Sequence, residues 1–168
     1  MEWGRFDPEE MQRQLFAEEL RRCGIKWSKY IPHTPTPQQR KFLSLTCKEA
    51  LYGGAAGGGK SEVLLMLPIA LGLYQYPRFK GLIMRRTFPE LEKSLILRSE
   101  SEGFYRGCGA DYHKQLKRWK FPSGAVLDFG FAEHEKDVRR YDTTEYNYIG
   151  FDELTSFTEF QYVYLAMS

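Results

Sequence analysis

The sequence predicts an α/β fold with a mostly parallel sheet flanked by helices, and three observations carry that expectation. Short apolar runs at residues 50–52, 82–84 and 146–151 alternate with stretches of helical spacing. A glycine-rich loop, residues 53–61, joins the first run directly to a helix. The third run ends in two adjacent acids, Asp152 and Glu153. That is the carboxyl end of a strand, where ligands of open α/β sheets sit.

Taken in order, Asp7 can cap a helix whose first turn holds Pro8, Glu9 and Glu10, with Arg21 and Arg22 near its end and Gly24 stopping it. Residues 30–37 carry three prolines and read as an extended connector. Residues 38–47 read as a helix with Phe42, Leu43 and Leu45 as its apolar contacts. Ala50, Leu51 and Tyr52 are expected as a short buried strand, followed after the loop by a buried helix over residues 62–74. Pro68 should kink that helix or cost it a hydrogen bond. A strand at 82–84, a helix at 90–104, and a hairpin of 119–121 with 125–131 across Pro122-Ser123-Gly124 follow. The 146–151 strand and a helix over 157–167 complete the reading. Two parts result: residues 1–36 form an N-terminal helix and connector, and residues 37–168 one nucleotide-binding domain.

Composition excludes several classes. Hydrophobic residues make up 42% and charged residues 27% of the chain, against disorder. A net charge of +2 does not by itself imply a nucleic-acid partner. Cys23, Cys47 and Cys108 lie far apart in an odd count, without metal-ligand spacing, which points to a reducing, intracellular setting. The start does not read as a signal peptide, and the apolar stretch 63–73 contains Pro68 and is too short to span a membrane. His33, His113 and His134 pair with no Ser or Cys in a nucleophilic pattern and read as surface or loop residues.

The chemistry concentrates in two motifs. Gly54, Gly59, Lys60 and Ser61 fit G-x-x-x-x-G-K-[ST] at every fixed position, with Gly57 and Gly58 between. A triphosphate must be wrapped by backbone N–H groups, and side chains would hold that backbone away. The helix that follows points its positive end at the phosphates. Lys60 is expected to reach the β- and γ-phosphates of ATP and the Ser61 hydroxyl to ligate Mg²⁺. At the second motif, Asp152 is expected to hold Mg²⁺ through its water shell, and Glu153 to orient and polarise the attacking water. Adjacent carboxylates suit that division of work.

Residues 53–61, the run Leu82-Ile83-Met84-Arg85-Arg86-Thr87-Phe88-Pro89-Glu90-Leu91, and residues 146–153 with Leu154-Thr155 resemble the large subunit of tailed-bacteriophage terminases. The resemblance runs from about Tyr30 to the end and is most specific in the Arg-Arg-Thr-Phe-Pro-Glu-Leu run and in the Arg140-Tyr141, Glu145-Tyr146 and Asp152-Glu153 arrangement. It implies a RecA-like ATPase of the additional-strand, catalytic-glutamate class. Such a motor drives double-stranded DNA into a procapsid in the host bacterial cytoplasm. Implied partners are a portal protein, a small terminase subunit and further copies of the chain in a ring. The family reads adenine with a glutamine upstream of the loop, which the resemblance places at Gln39; a plain surface helix start is the other reading. An arginine donated to a neighbouring subunit's site is matched best by Arg140, with Arg139 beside it. Arg85 and Arg86 could face phosphate, DNA or a neighbouring subunit. The basic run Lys114, Lys117, Arg118 and Lys120 around Trp119 reads either as a DNA contact or as a solvated hairpin face. The family's coupling segment and nuclease domain would lie beyond Ser168, so the sequence reads as a partial ATPase domain. A helicase-like nucleic-acid-dependent ATPase and a nucleotide-binding assembly module without turnover are the competing readings.

Overall fold

In the computed structural model, Met11, Glu18 and residues 30–45, 47–54, 57–101 and 104–167 are described. The expected N-terminal helix around residues 7–24 lies outside them, apart from Met11 and Glu18. Residues 30–36 carry no regular structure, as their prolines predict. Helix α1, Pro37–Leu43, then starts at a capping box. The Thr36 hydroxyl accepts the Gln39 N–H at 3.3 Å, and Gln39 Oε1 accepts the Thr36 N–H at 2.8 Å. Pro37 sits in the first turn, where a missing N–H costs nothing.

Helix α2, Lys60–Ala70, follows the glycine loop and buries Val63, Leu65, Met66, Ile69 and Ala70. Pro68 lies inside it and cannot donate to the carbonyl four residues back, Leu64. The Tyr148 hydroxyl donates to that carbonyl at 3.2 Å, and the Tyr105 hydroxyl donates to the next, Leu65, at 2.8 Å. The Tyr148 phenol thus offsets the hydrogen bond the proline removes, and Tyr105 adds a second tie to the same turn. Burial pushes the pKa of both hydroxyls up, so they stay protonated donors.

Strand β1, Lys80–Arg85, is covered on both faces. Its alternate residues serve different layers: Ile83 joins the larger core with α2, while Leu82 and Met84 pack with Ala132, Val138 and Leu165. Helix α3, Phe88–Leu91, passes through a π-helical turn, Glu92–Ile96, into α4, Leu97–Glu100. Strands β2 (Asp111–His113), β3 (Arg118–Lys120), β4 (Val126–Phe131) and β5 (Tyr148–Phe151) follow, then α5, Glu159–Ala166. A capping box of Thr158 and Gln161 starts α5. Trp119 is 0% exposed, meets Tyr105 and Tyr112, and donates its ring N–H to Ser99 Oγ at 2.9 Å.

The five described strands form one sheet in the order β2-β3-β4-β1-β5. The pairs β4–β1 and β1–β5 are parallel, while β2–β3 and β3–β4 are antiparallel. This overturns the expected mostly parallel, RecA-like, additional-strand sheet: half of the strand pairings are antiparallel. The connection at Pro122-Ser123-Gly124 is the reason, since so short a link can only return the chain antiparallel. A second tight turn, with Lys117 at φ 50°, adds β2, which the sequence reading did not include. The expected strand ahead of the loop is also absent. Residues 50–54 are irregular and Leu51 is 78% exposed. Three apolar residues between Lys48-Glu49 and Gly53-Gly54 offer too little surface to hold a strand position.

Candidate functional site

The glycine loop bends through left-handed backbone at Gly57 (φ 84°) and Gly59 (φ 69°). At Gly59 a side chain is excluded twice over, by that φ and because a Cβ would lie 2.4 Å from Gln39 Nε2. Three side chains hold carbonyls of the loop. Lys60 Nζ donates to Gly54 O at 3.0 Å, the Tyr52 hydroxyl to Gly58 O at 3.3 Å, and Gln39 Nε2 to Gly59 O at 3.3 Å. In a trans peptide the N–H points opposite its carbonyl. Fixing the Gly58 and Gly59 carbonyls therefore turns the Gly59 and Lys60 N–H groups the other way. The first N–H groups of α2 also lack intrahelical acceptors, so this end of the helix presents converging donors and positive potential.

Ser61, on the first turn of α2, reaches across to the end of β5. Its hydroxyl donates to both Asp152 carboxylate oxygens at 3.0 Å, joining two motifs 91 residues apart. Asp152 is 1% exposed, and its N–H is anchored on Met84 O at 2.8 Å. Arg85, at the end of the neighbouring strand β1, places Nη1 on Asp152 Oδ2. Its Nε is buried without a hydrogen bond among the described residues, 3.8 Å from Glu90 Oε2.

Glu153 stands apart. Its backbone is left-handed at φ 55° and ψ 56°, unusual for a residue with a side chain. The turn Leu154–Ser156 imposes this, because Ser156 donates both its N–H (2.9 Å) and its hydroxyl (2.7 Å) to the Glu153 carbonyl. The carboxylate is exposed and makes no hydrogen bond or ion pair among the described residues.

The remaining predicted residues divide. Gln39 is 1% exposed and lies against the loop, with its amide spent on the Thr36 cap and on Gly59. Arg140 lies on the turn Glu135–Tyr141, donates to Asp137 at 2.9 Å and stacks over Phe131 at 5.5 Å. The His134 N–H, then Arg140, hold the Asp137 carboxyl below its ordinary range. Arg139 is exposed on the same turn. Arg86 is turned inward, donating to Ala132 O at 3.1 Å and Gln161 Oε1 at 2.6 Å, which ties α5 to the end of the sheet. The basic run is broken up: Trp119 is core, Arg118 is paired with Asp128, and Lys117 covers the Phe88 ring at 5.0 Å. His33 meets Glu62 of α2 at 2.9 Å.

The sequence reading did not assign Arg85 to Asp152. The signal was present: an arginine ending a strand whose parallel neighbour ends in an acid. It needed the pairing of β1 with β5 to become readable.

Among the described residues, no group of three or more His, Cys, Asp or Glu side chains could hold a metal unaided, and no helix is long and apolar enough to cross a membrane. A shallow groove lined by Glu159, Phe160, Val163 and Tyr164 lies on α5 and includes no residue of the loop or the acidic pair. Comparison with protein-family models, with curated proteins and with solved structures finds no match.

Proposed function

We propose that this chain binds ATP at residues 54–61 and hydrolyses it, as the motor module of a DNA-packaging machine. The observation that carries the reading is the Ser61–Asp152 contact, which sets a helix-start hydroxyl and a buried carboxylate together beside the glycine loop. The local site supports the proposal; the sheet topology is no part of it.

The donor set fits Mg²⁺. A small hard cation that keeps most of its ligands as water and phosphate oxygen needs only one or two oxygens from the protein, and Ser61 Oγ and Asp152 supply them. Bound there with nucleotide, Mg²⁺ would neutralise charge on the β- and γ-phosphates. The chain's own groups do the rest. N–H groups from Gly57 to Lys60 cradle the phosphates, and Lys60 exchanges the Gly54 carbonyl for phosphate oxygen. Glu153, with an uncommitted carboxylate next to Asp152, orients and polarises the attacking water. Arg140, exposed on its turn, is the residue offered to a neighbouring copy's γ-phosphate. Double-stranded DNA as the driven substrate, and portal, small subunit and ring as the assembly, rest on the resemblance of residues 82–91 and 140–155 to terminases.

The test is Mg²⁺-dependent phosphate release with a parallel nucleotide-binding measurement. Glu153→Gln should abolish release and keep binding, and Lys60→Ala should weaken binding about tenfold or more, the loss of a charge-assisted contact. Undiminished release in Glu153→Gln rejects the catalytic carboxylate. Unchanged affinity in Lys60→Ala rejects the phosphate loop. Double-stranded DNA should accelerate release, and no acceleration rejects the motor reading alone.

A further inference from the structure

We propose that Arg85 is a positioning residue that holds the place of the metal on Asp152 and moves to Glu90 when a divalent cation arrives. The inference rests on Asp152 being the metal carboxylate.

Three observations carry it. Asp152 is 1% exposed, and a carboxylate so buried requires a counter-charge in every state of the site. In this structure Arg85 supplies that charge through Nη1 on Oδ2, an oxygen that also accepts from Ser61. A second cation on the same carboxylate would be repelled strongly in so dry a place. Arg85 therefore cannot keep its contact unchanged as Mg²⁺ takes the site. The third observation says where it goes. Its Nε is buried with no hydrogen-bond acceptor among the described residues, an arrangement that disfavours the present state. Glu90 Oε2 lies 3.8 Å from it, just beyond hydrogen-bond reach. Glu90 is 53% exposed, so it can turn without disturbing the core. A small rotation of the guanidinium toward α3 completes a charge-assisted bond at Nε and frees Oδ2. Asp152 and Glu90 thus form two stations for one guanidinium, and metal occupancy selects between them. The site stays neutralised without metal, and each binding event shifts a side chain of the Arg-Arg-Thr-Phe-Pro-Glu run that leads from β1 into α3.

The experiment compares the affinity of a fluorescent ATP analogue in Mg²⁺ with its affinity in EDTA. The ratio reports the contribution of the metal and does not depend on turnover. Arg85→Gln removes the competitor and should raise the ratio about fivefold or more, and Glu90→Gln removes the second station and should lower it about threefold or more, magnitudes within the usual range of coupling between sites. Melting temperatures add a second readout: Mg²⁺ with analogue should stabilise Arg85→Gln more than it stabilises the parent chain. Asp152→Asn should bring the ratio close to one. If Asp152→Asn does so while Arg85→Gln leaves the ratio unchanged or lowers it, Arg85 is a fixed structural partner and the proposal falls. If Glu90→Gln, an exposed change that leaves the core intact, does not lower the ratio, the transfer to Glu90 is wrong. If Asp152→Asn has no effect, the metal reading fails and takes this proposal with it.

Discussion

Glu153→Gly should make the protein more stable and at the same time end hydrolysis. Glu153 sits at φ 55° and ψ 56°, where a residue with a Cβ is strained by about 1–2 kcal/mol relative to right-handed backbone. Glycine removes that strain, but it also gives the unfolded chain freedom worth about 0.4–1 kcal/mol. The net gain should be about 0.5–1 kcal/mol, because the exposed carboxylate holds no contact whose loss would subtract from it. In a chain of this size that corresponds to a rise in melting temperature of roughly 1–4 °C. Glu153→Gln keeps the strained backbone and should leave stability unchanged while stopping phosphate release. Lys117, the other described non-glycine residue with positive φ, is the control. Lys117→Gly should gain less, since it forfeits the contact over Phe88, and should leave release intact. Urea and thermal unfolding, each paired with a phosphate-release assay, read the whole set. A lower melting temperature for Glu153→Gly would refute the strain argument. Retained hydrolysis in the same variant would refute the catalytic one.

Three further outcomes are expected. Tyr148→Phe strands the Leu64 carbonyl opposite Pro68 and should cost about 1–3 kcal/mol in urea unfolding; an unchanged midpoint would mean the helix finds another donor. Burial pushes the Cys108 thiol up to about 12, so labelling at pH 8 of a variant with Cys108 as its only cysteine should be far slower than of one keeping only the exposed Cys47, and should speed up in urea. Asp137 is depressed from its ordinary 3.8 by the His134 N–H and then by Arg140; its contribution is present at higher pH and is lost as pH falls below about 4. Acid titration of melting temperature should therefore be shallower for Asp137→Asn, and identical slopes would count against that pairing.

The glycine loop, β1, the 119–131 hairpin and the acidic end of β5 were legible because each rests on local chemistry: glycine backbone freedom, apolar runs and turn residues. The sheet as a whole was not. Alternation of strands and helices suggested a mostly parallel sheet, yet half of the strand pairings are antiparallel, beginning with the hairpin read from the same sequence. Residues 50–52 looked like a strand because they are apolar; whether a strand forms depends on a partner that no local pattern specifies. The partners of Pro68 were hidden for a similar reason. Its missing hydrogen bond was predictable, but Tyr105 and Tyr148 lie 40 and 84 residues from the carbonyls they serve. Trp119 read as part of a basic surface run because its neighbours are charged, whereas strand alternation turns it inward and them outward.

The two links between α2 and β5 act together like bolts on a plate. One joins Ser61 to Asp152 and the other joins Leu64 to Tyr148, so sliding or swivelling the helix against the strand breaks a hydrogen bond at each place. The second involves neither Ser61 nor Asp152, so a metal taking those two groups would not remove it. The start of α2 and Asp152 are consequently coupled through both links. If this pocket works as proposed, the cradle and Asp152 would respond to its occupant together, through α2 and β5.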